Sequence, residues 1–282
     1  MRVAGLCLVC CALLFVVRQA QGGAWLYPAG KGQLITTMGF ARAHNAYDAS
    51  GRIVSTQPYR KLEARASLEH GLTDWLTLVS EGDAMSFRGA PVPYDVIELL
   101  IAEAKAGLPL YAPPLQAVTY EGLGLGAAGA RLRLLEAGDY VLSVEGRLRA
   151  ASPQARRFLD MRGPVQVDAR LLMGRSFSLF GFSGFLDGQL GFRSQGQNGN
   201  EIRVDLTAGL RPFESLLLLA QSFTAVAPGA GATTALSQQK FQLSAVYDVS
   251  SSFSVQLGGV AAPAGANAPV ERGLITAVWW RY

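Results

Sequence analysis

The chain has 282 residues, 50% of them hydrophobic and only 16% charged, with 32 glycines and a formal net charge of +4. Beyond the first segment no apolar run reaches the roughly 18 residues that a membrane-spanning helix needs. So weak a charge excess gives no reason to expect a nucleic-acid partner, and abundant glycine with little helical periodicity points to strands and turns.

Arg2, the apolar stretch Leu6–Val17 and the small-residue site Ala20-Gln21-Gly22 form the pattern of an export signal. The chain therefore divides into a signal peptide over 1–22 and a mature domain over 23–282, with cleavage after Ala24 as the competing site. Cys7, Cys10 and Cys11 all fall inside the signal. The mature chain is left without a thiol for a disulfide, a metal or a nucleophile. Losing Arg2 and Arg18 with the signal leaves 23 basic against 21 acidic residues.

Gly23–Gly32 reads as a short irregular leader whose Trp25 and Tyr27 suit a membrane interface or a rim. A first strand is expected over Gln33–Arg42, and Asn45–Gln57 is turn-rich. Between Tyr59 and His70, Leu62, Ala64, Ala66 and Leu68 alternate with Lys61, Glu63, Arg65, Ser67 and Glu69. Gly71-Leu72-Thr73-Asp74 then turns into a strand from Trp75 to Glu81. The long connection Ser86–Tyr120 holds a helix candidate at Asp95–Pro109, started by Asp95 with Glu98 and stopped by Gly107. Its Val96, Ile97, Leu100 and Ile101 need cover, either as a constriction in a barrel mouth or against the rim.

Gly122–Leu134 sets Arg131 and Arg133 opposite Ala130, Leu132 and Leu134, and Glu136–Asp139 turns into Tyr140–Arg149 with Glu145 and Arg147 on its polar face. After the polar segment Ala151–Gly163, a strand from Val165 carries Asp168 and Arg170 against Val167 and Leu171. Phe182–Arg193 sets Asp187 and Arg193 against Leu186 and Leu190. Ser194–Asn200 is a loop. The strand after it is the cleanest: Glu201, Arg203 and Asp205 oppose Ile202, Val204 and Leu206. Further strands follow over Ser215–Phe223, Lys240–Asp248, Phe253–Leu257 and Gly273–Tyr282.

In the last strand Leu274, Thr276, Val278, Trp280 and Tyr282 share one face, and Ile275, Ala277, Trp279 and Arg281 the other. A chain ending on an aromatic in such a strand resembles the closing strand of bacterial outer-membrane β-barrels. That resemblance implies that Trp280 and Tyr282 form the signal read by the barrel-assembly machinery. The hairpin Gly71–Trp75 resembles the short periplasmic turns of outer-membrane channels. Together with the last strand it is similar to the transporter-like family named after the phenol-degradation meta pathway.

About twelve strands are counted, with tight connections after His70, Leu134, Gly174, Leu210 and Asp248 and generally longer ones between. A soluble sandwich has no reason to sort loop lengths by side, whereas an outer-membrane barrel does so. The expected fold is all-β: a single closed antiparallel up-and-down transmembrane β-barrel with one short helix in a long outer loop. In that register the apolar faces meet lipid, and Trp75, Tyr140, Tyr247, Trp280 and Tyr282 join interfacial girdles. Glu63, Arg65, Arg131, Arg133, Glu145, Arg147, Asp168, Arg170, Asp187, Arg193, Glu201, Arg203 and Asp205 then face the lumen. Two readings stand: a structural ion-pair network, or the lining of a water-filled channel.

Catalytic chemistry finds little support. His44 and His70 fall at opposite strand ends, His44 with Asp48 is the one conceivable acid–base pair, and no Gly-x-Ser-x-Gly elbow occurs. Gly122, Gly124 and Gly126 lack the Lys-Ser/Thr helix of a phosphate loop. The chain is read as a non-enzyme of the cell outer membrane with no metal and no cofactor. Its expected partners are outer-membrane lipids, the assembly machinery and small solutes, with no nucleic acid. A passive channel or transporter-like pore is the leading function. The alternative is an accessory barrel with a closed lumen, supporting an envelope or polysaccharide-related assembly.

Overall fold

Alternation with period two is satisfied only where the two faces of a sheet meet different surroundings. The computed structural model, which describes residues 23–90, 118–158, 163–194, 200–228 and 235–282, meets this with one 13-stranded antiparallel sheet. The strands are β1 (Gly32–Tyr47), β2 (Ile53–Thr73), β3 (Leu76–Gly89), β4 (Thr119–Ala137), β5 (Tyr140–Ala151), β6 (Val165–Leu179) and β7 (Phe182–Ser194). They continue as β8 (Asn200–Phe213), β9 (Leu216–Ala227), β10 (Leu236–Asp248), β11 (Phe253–Ala266), β12 (Ala268–Pro269) and β13 (Arg272–Arg281).

Twelve strands form a closed ring, because β1 pairs with both β2 and β13. The closing seam runs from Gln33↔Arg281 to Arg42↔Arg272. The two-residue β12 lies outside the ring, against Ala46 and Tyr47. Closure leaves no strand edge, so each ladder amide finds a partner without water.

Loop lengths sort by end. Asp74–Trp75, Gly138–Asp139, Phe180–Gly181 and Glu214–Ser215 are two-residue turns on the side of Gly32 and Tyr282. The connections from Gly89 to Thr119 and from Ala151 to Val165 lie at the other end. Strand β6 runs on to Leu179, past the turn expected after Gly174. Phe180 (φ 52) and Gly181 (φ 84) both take the left-handed conformations of a type I′ hairpin, which matches the twist of the flanking strands.

The helix expected over Asp95–Pro109 lies outside the described residues, as does the signal segment 1–22. The described helix is α1 (Pro153–Phe158), in a segment read from sequence only as polar. Ser152 caps it, its hydroxyl accepting the Ala155 N–H at 3.1 Å, and Pro153 supplies the fixed φ of a first helical position.

Outside the ring, Leu62, Leu78, Leu148, Leu190, Leu206, Leu218, Leu243, Leu257 and Leu274 are exposed, a continuous apolar belt suited to lipid. Trp75, Tyr140, Phe180, Phe213, Tyr247, Phe253, Trp280 and Tyr282 are exposed around the short-turn end, as an interfacial girdle requires. Leu206 and Thr207, adjacent at the middle of β8, therefore test the sidedness. Leu206→Arg is expected to lower unfolding free energy in vesicles by about 2–4 kcal/mol, and Thr207→Arg by less than half of that. Equal losses in denaturant titrations would contradict the assigned faces.

Candidate functional site: a charged lumen

The inward residues arrange themselves in three levels. At the short-turn end, the chain ahead of β1 does not lie along the rim but turns back into the barrel. Gly30 N–H donates to Gly71 O and Gly71 N–H to Lys31 O, both at 2.8 Å, fixing the segment on β2. A Cβ on Gly71 would stand 2.3 Å from the carbonyl oxygens of Tyr27 and Pro28, so only glycine permits this approach.

Trp25, 7% exposed, packs edge-on against Phe185 with ring centroids 5.9 Å apart. Val141, Leu172, Leu217, Leu219 and Val246 complete an apolar cluster inside the barrel, with Trp279 packed against it. The backbone of the segment is also matched: Ala24 N–H donates to Asp187 Oδ2 (2.7 Å), Ala24 O accepts from the Ser143 hydroxyl (2.7 Å), and Trp25 O accepts from Arg131 (3.2 Å). Tyr27 N–H reaches Thr77 Oγ1 and the Tyr27 hydroxyl donates to Gln33. Trp25 and Tyr27 are thus plug residues and not interfacial ones. Apolar inward positions on β5, β6, β7, β9 and β10 draw the indole inside.

Above the plug lies a buried ion-pair knot. Arg131, 2% exposed, reaches Glu69 at 2.8 Å and Glu145 at 2.7 Å. Glu145 also meets Arg147 at 2.6 Å, Arg147 meets Glu81 at 3.5 Å, and Arg65 pairs with Glu63. Guanidinium forks suit this work because each offers five donors in one plane to several carboxylates.

Toward the long-loop end the third level carries Arg170 on Asp168 and Asp205, both at 3.2 Å, and Arg193 on Asp168 and Glu201, both at 2.9 Å. Arg203 approaches Glu201 at 3.5 Å, and Arg149 donates to Gln166 at 3.1 Å. Across the lumen Glu271 gathers Lys61 (3.9 Å), Lys240 and the Tyr59 hydroxyl (2.6 Å).

These levels surround a cavity of about 640 Å³. Of the residues expected in the lumen, Glu63, Arg65, Arg131, Arg147, Asp168, Arg170, Asp187, Arg193, Arg203 and Asp205 line it. Glu145 and Glu201 stand behind as ion-pair partners. Arg133 does not join them. It sits at the short-turn rim on Glu136, where a bulge between Arg133 and Leu135 breaks the strand's alternation. A second space of about 160 Å³ shares Gly23, Ile35, Ser67, Glu69 and Trp279 with the first and extends beside the plug to Tyr27 and Gln33.

Sequence reasoning passed over Glu271, which lies between strands, and the plug, which has no period to read. Signals for the plug were present: two aromatics among glycines just ahead of β1, facing a chain whose inward set includes Val141, Leu172 and Phe185.

His44 is exposed near the long-loop end, and Asp48 binds Ser50 and Arg52 instead. The Ser50 hydroxyl and the Arg52 amide hold the Asp48 carboxyl well below the usual carboxylate range. His70 stacks on Tyr282 at the opposite end, ring centroids 5.9 Å apart. Among the described residues no three acidic or imidazole groups come together as metal ligands.

Arg131→Ala removes the shared cation from two carboxylates, one of them fully buried. A loss of about 3–5 kcal/mol in unfolding free energy is expected, with much of it recovered in Arg131→Met/Glu145→Gln. No loss in the single variant would show that the knot contributes nothing.

No family model matches the sequence, and no curated protein does, so the likeness to the meta-pathway family remains one of turns and a terminal strand. Solved structures do match. The COG4313 outer membrane channel from Pseudomonas putida F1 superposes with a TM-score of 0.64 at 15% identity, over 93% of this chain and 99% of that one. The NanC porin does so with a TM-score of 0.55 at 6% identity, over 88% of this chain and 100% of that one. The chain has the fold of the outer-membrane channel barrels.

Proposed function

We propose that this protein is an outer-membrane channel for passive movement of small solutes, exported by a signal removed at Gly23. The observation that carries the reading is the charged cavity on the axis of a closed barrel, which continues as a narrower space past the plug. Polar walls keep such a cavity wet, and charge on low-dielectric walls selects what enters. The short-turn end is then periplasmic, the apolar belt meets lipid, and Trp280 with Tyr282 addresses the assembly machinery.

The plug supports the removal of 1–22. Gly23 lies within the lumen, its Cβ position 2.3 Å from Gln189 Nε2 and 3.4 Å from Asp187 Oδ1. Cleavage there leaves an α-ammonium group beside Asp187, a carboxylate that is 3% exposed. Among the described residues no lysine or arginine side chain forms an ion pair with it. A mass of the isolated protein that includes residues 1–22 would sink this part of the reading.

One observation favours the accessory barrel: the apolar seat of Trp25 narrows the periplasmic end. Planar-bilayer recordings separate the two. The mature protein is expected to give small discrete steps, at least roughly doubled in Trp25→Ala and in a chain lacking 23–27, since each opens the same constriction. Silence from all three, with insertion verified, would leave the accessory barrel as the function.

A further inference from the structure

The cationic groups around the cavity differ in how fully they are engaged. Asp168, 1% exposed, lies low on the wall of β6 and accepts from both Arg170 and Arg193. Glu201 receives Arg193 and Arg203. Asp168 and Glu201 are thus each engaged by two guanidinium groups. Across the lumen, Lys61 and Lys240 are held by Glu63 and Glu271.

Two arginines on the β5–β8 wall remain under-engaged. Arg149 lines the cavity, and of its five donors one meets the neutral Gln166. Among the described residues no carboxylate forms an ion pair with it. Arg203 also lines the cavity, its contact to Glu201 is long at 3.5 Å, and among the described residues its buried Nε has no hydrogen-bond partner. Arg193, on β7, adds a third positive charge that is itself paired with Asp168 and Glu201, and Arg149 lies within Coulombic reach of Arg193 and Arg203 as well as of the acids Glu81 and Asp168. Glu81 and Asp168 offset part of this charge at Arg149, and Asp205 and Glu201 part of it at Arg203, but neither guanidinium fork is filled, and an anion between them would take up the open donors.

We propose that Arg149 and Arg203, with Arg193 of β7, form a lumenal binding site for the oxyanion group of a small solute: a carboxylate, phosphate or sulfate. A planar fork matches such groups in two parallel hydrogen bonds, and a cavity of about 640 Å³ leaves room for the rest of a small molecule. This rests on the channel reading for its role in transport, but binding is measurable apart from conduction.

The test is calorimetric titration of the detergent-folded mature protein with inorganic phosphate, sulfate and acetate, together with reversal potentials in a potassium chloride gradient. The wild type is expected to bind at least one of the three anions and to prefer chloride over potassium. Arg149→Gln/Arg203→Gln should weaken binding by roughly tenfold or more and move the reversal potential toward zero. Arg175→Gln, which removes a cation lying over the Tyr140 ring at the short-turn end, should leave both unchanged. Binding without conductance upholds the site and overturns the channel. Conductance with no binding of any of the three anions, or binding unaltered in the double variant, overturns the site.

Discussion

A backbone amide in hydrocarbon has no water to turn to, and that constraint organises this molecule. It requires β1 to find β13, and once the ring is closed every side chain must choose lipid or lumen. A ring of twelve strands is narrow enough that long side chains from different strands meet inside. Arg131 of β4 therefore reaches Glu69 of β2 and Glu145 of β5 together. The ion-pair levels follow from closure, because charges barred from the lipid face have each other as the nearest partners.

The same constraint explains what could be read in advance. Strand β8 displays its two faces directly, since Ile202, Val204 and Leu206 must meet lipid while Glu201, Arg203 and Asp205 cannot. Strand ends were harder to see. Past the bilayer the lipid-facing requirement lapses, so β2 begins at Ile53 and β6 runs on to Leu179 without an alternating pattern to mark them. Helix α1 is marked by Ser152-Pro153, a cap followed by a helix-starting proline, in a segment whose polarity alone reads as loop. The plug was not legible by any periodic rule. Its conformation is fixed by inward apolar residues on five other strands, a set assembled only by the ring. Arg149 was visible on the polar face of β5, yet whether it has a carboxylate partner depends on cross-strand register, which puts Gln166 opposite it.

The plug and the charged levels are held by different forces, and this bears on which of them can move. Full burial of an indole such as Trp25 contributes on the order of 3 kcal/mol or somewhat more, and the segment's hydrogen bonds about 1 kcal/mol each. The segment's backbone groups can exchange these hydrogen bonds for others to water when it leaves, because the space beside it is lined partly by polar groups. The Arg131–Glu145 pair has no such recourse, since separating it leaves a buried charge. The plugged short-turn end of the barrel is thus the softer part and the ion-pair knot the stiffer one, although the two touch through the hydrogen bond from Arg131 to Trp25 O.

Charge inside a barrel does not by itself mark a pathway, because lining charges also fill space and stiffen walls. The useful distinction is the degree of engagement of each group. Arg131 has donors on two carboxylates and a carbonyl, and an anion arriving there would have to displace all three. Arg149 has donors left over and a neutral neighbour, with Arg193 and Arg203 within reach and the acids Glu81 and Asp168 near it without an ion pair to it. An arriving oxyanion completes that arrangement without breaking an ion pair. The knot at Arg131 thus serves architecture, and the wall at Arg149 and Arg203 is where the lumen has binding capacity left for a solute.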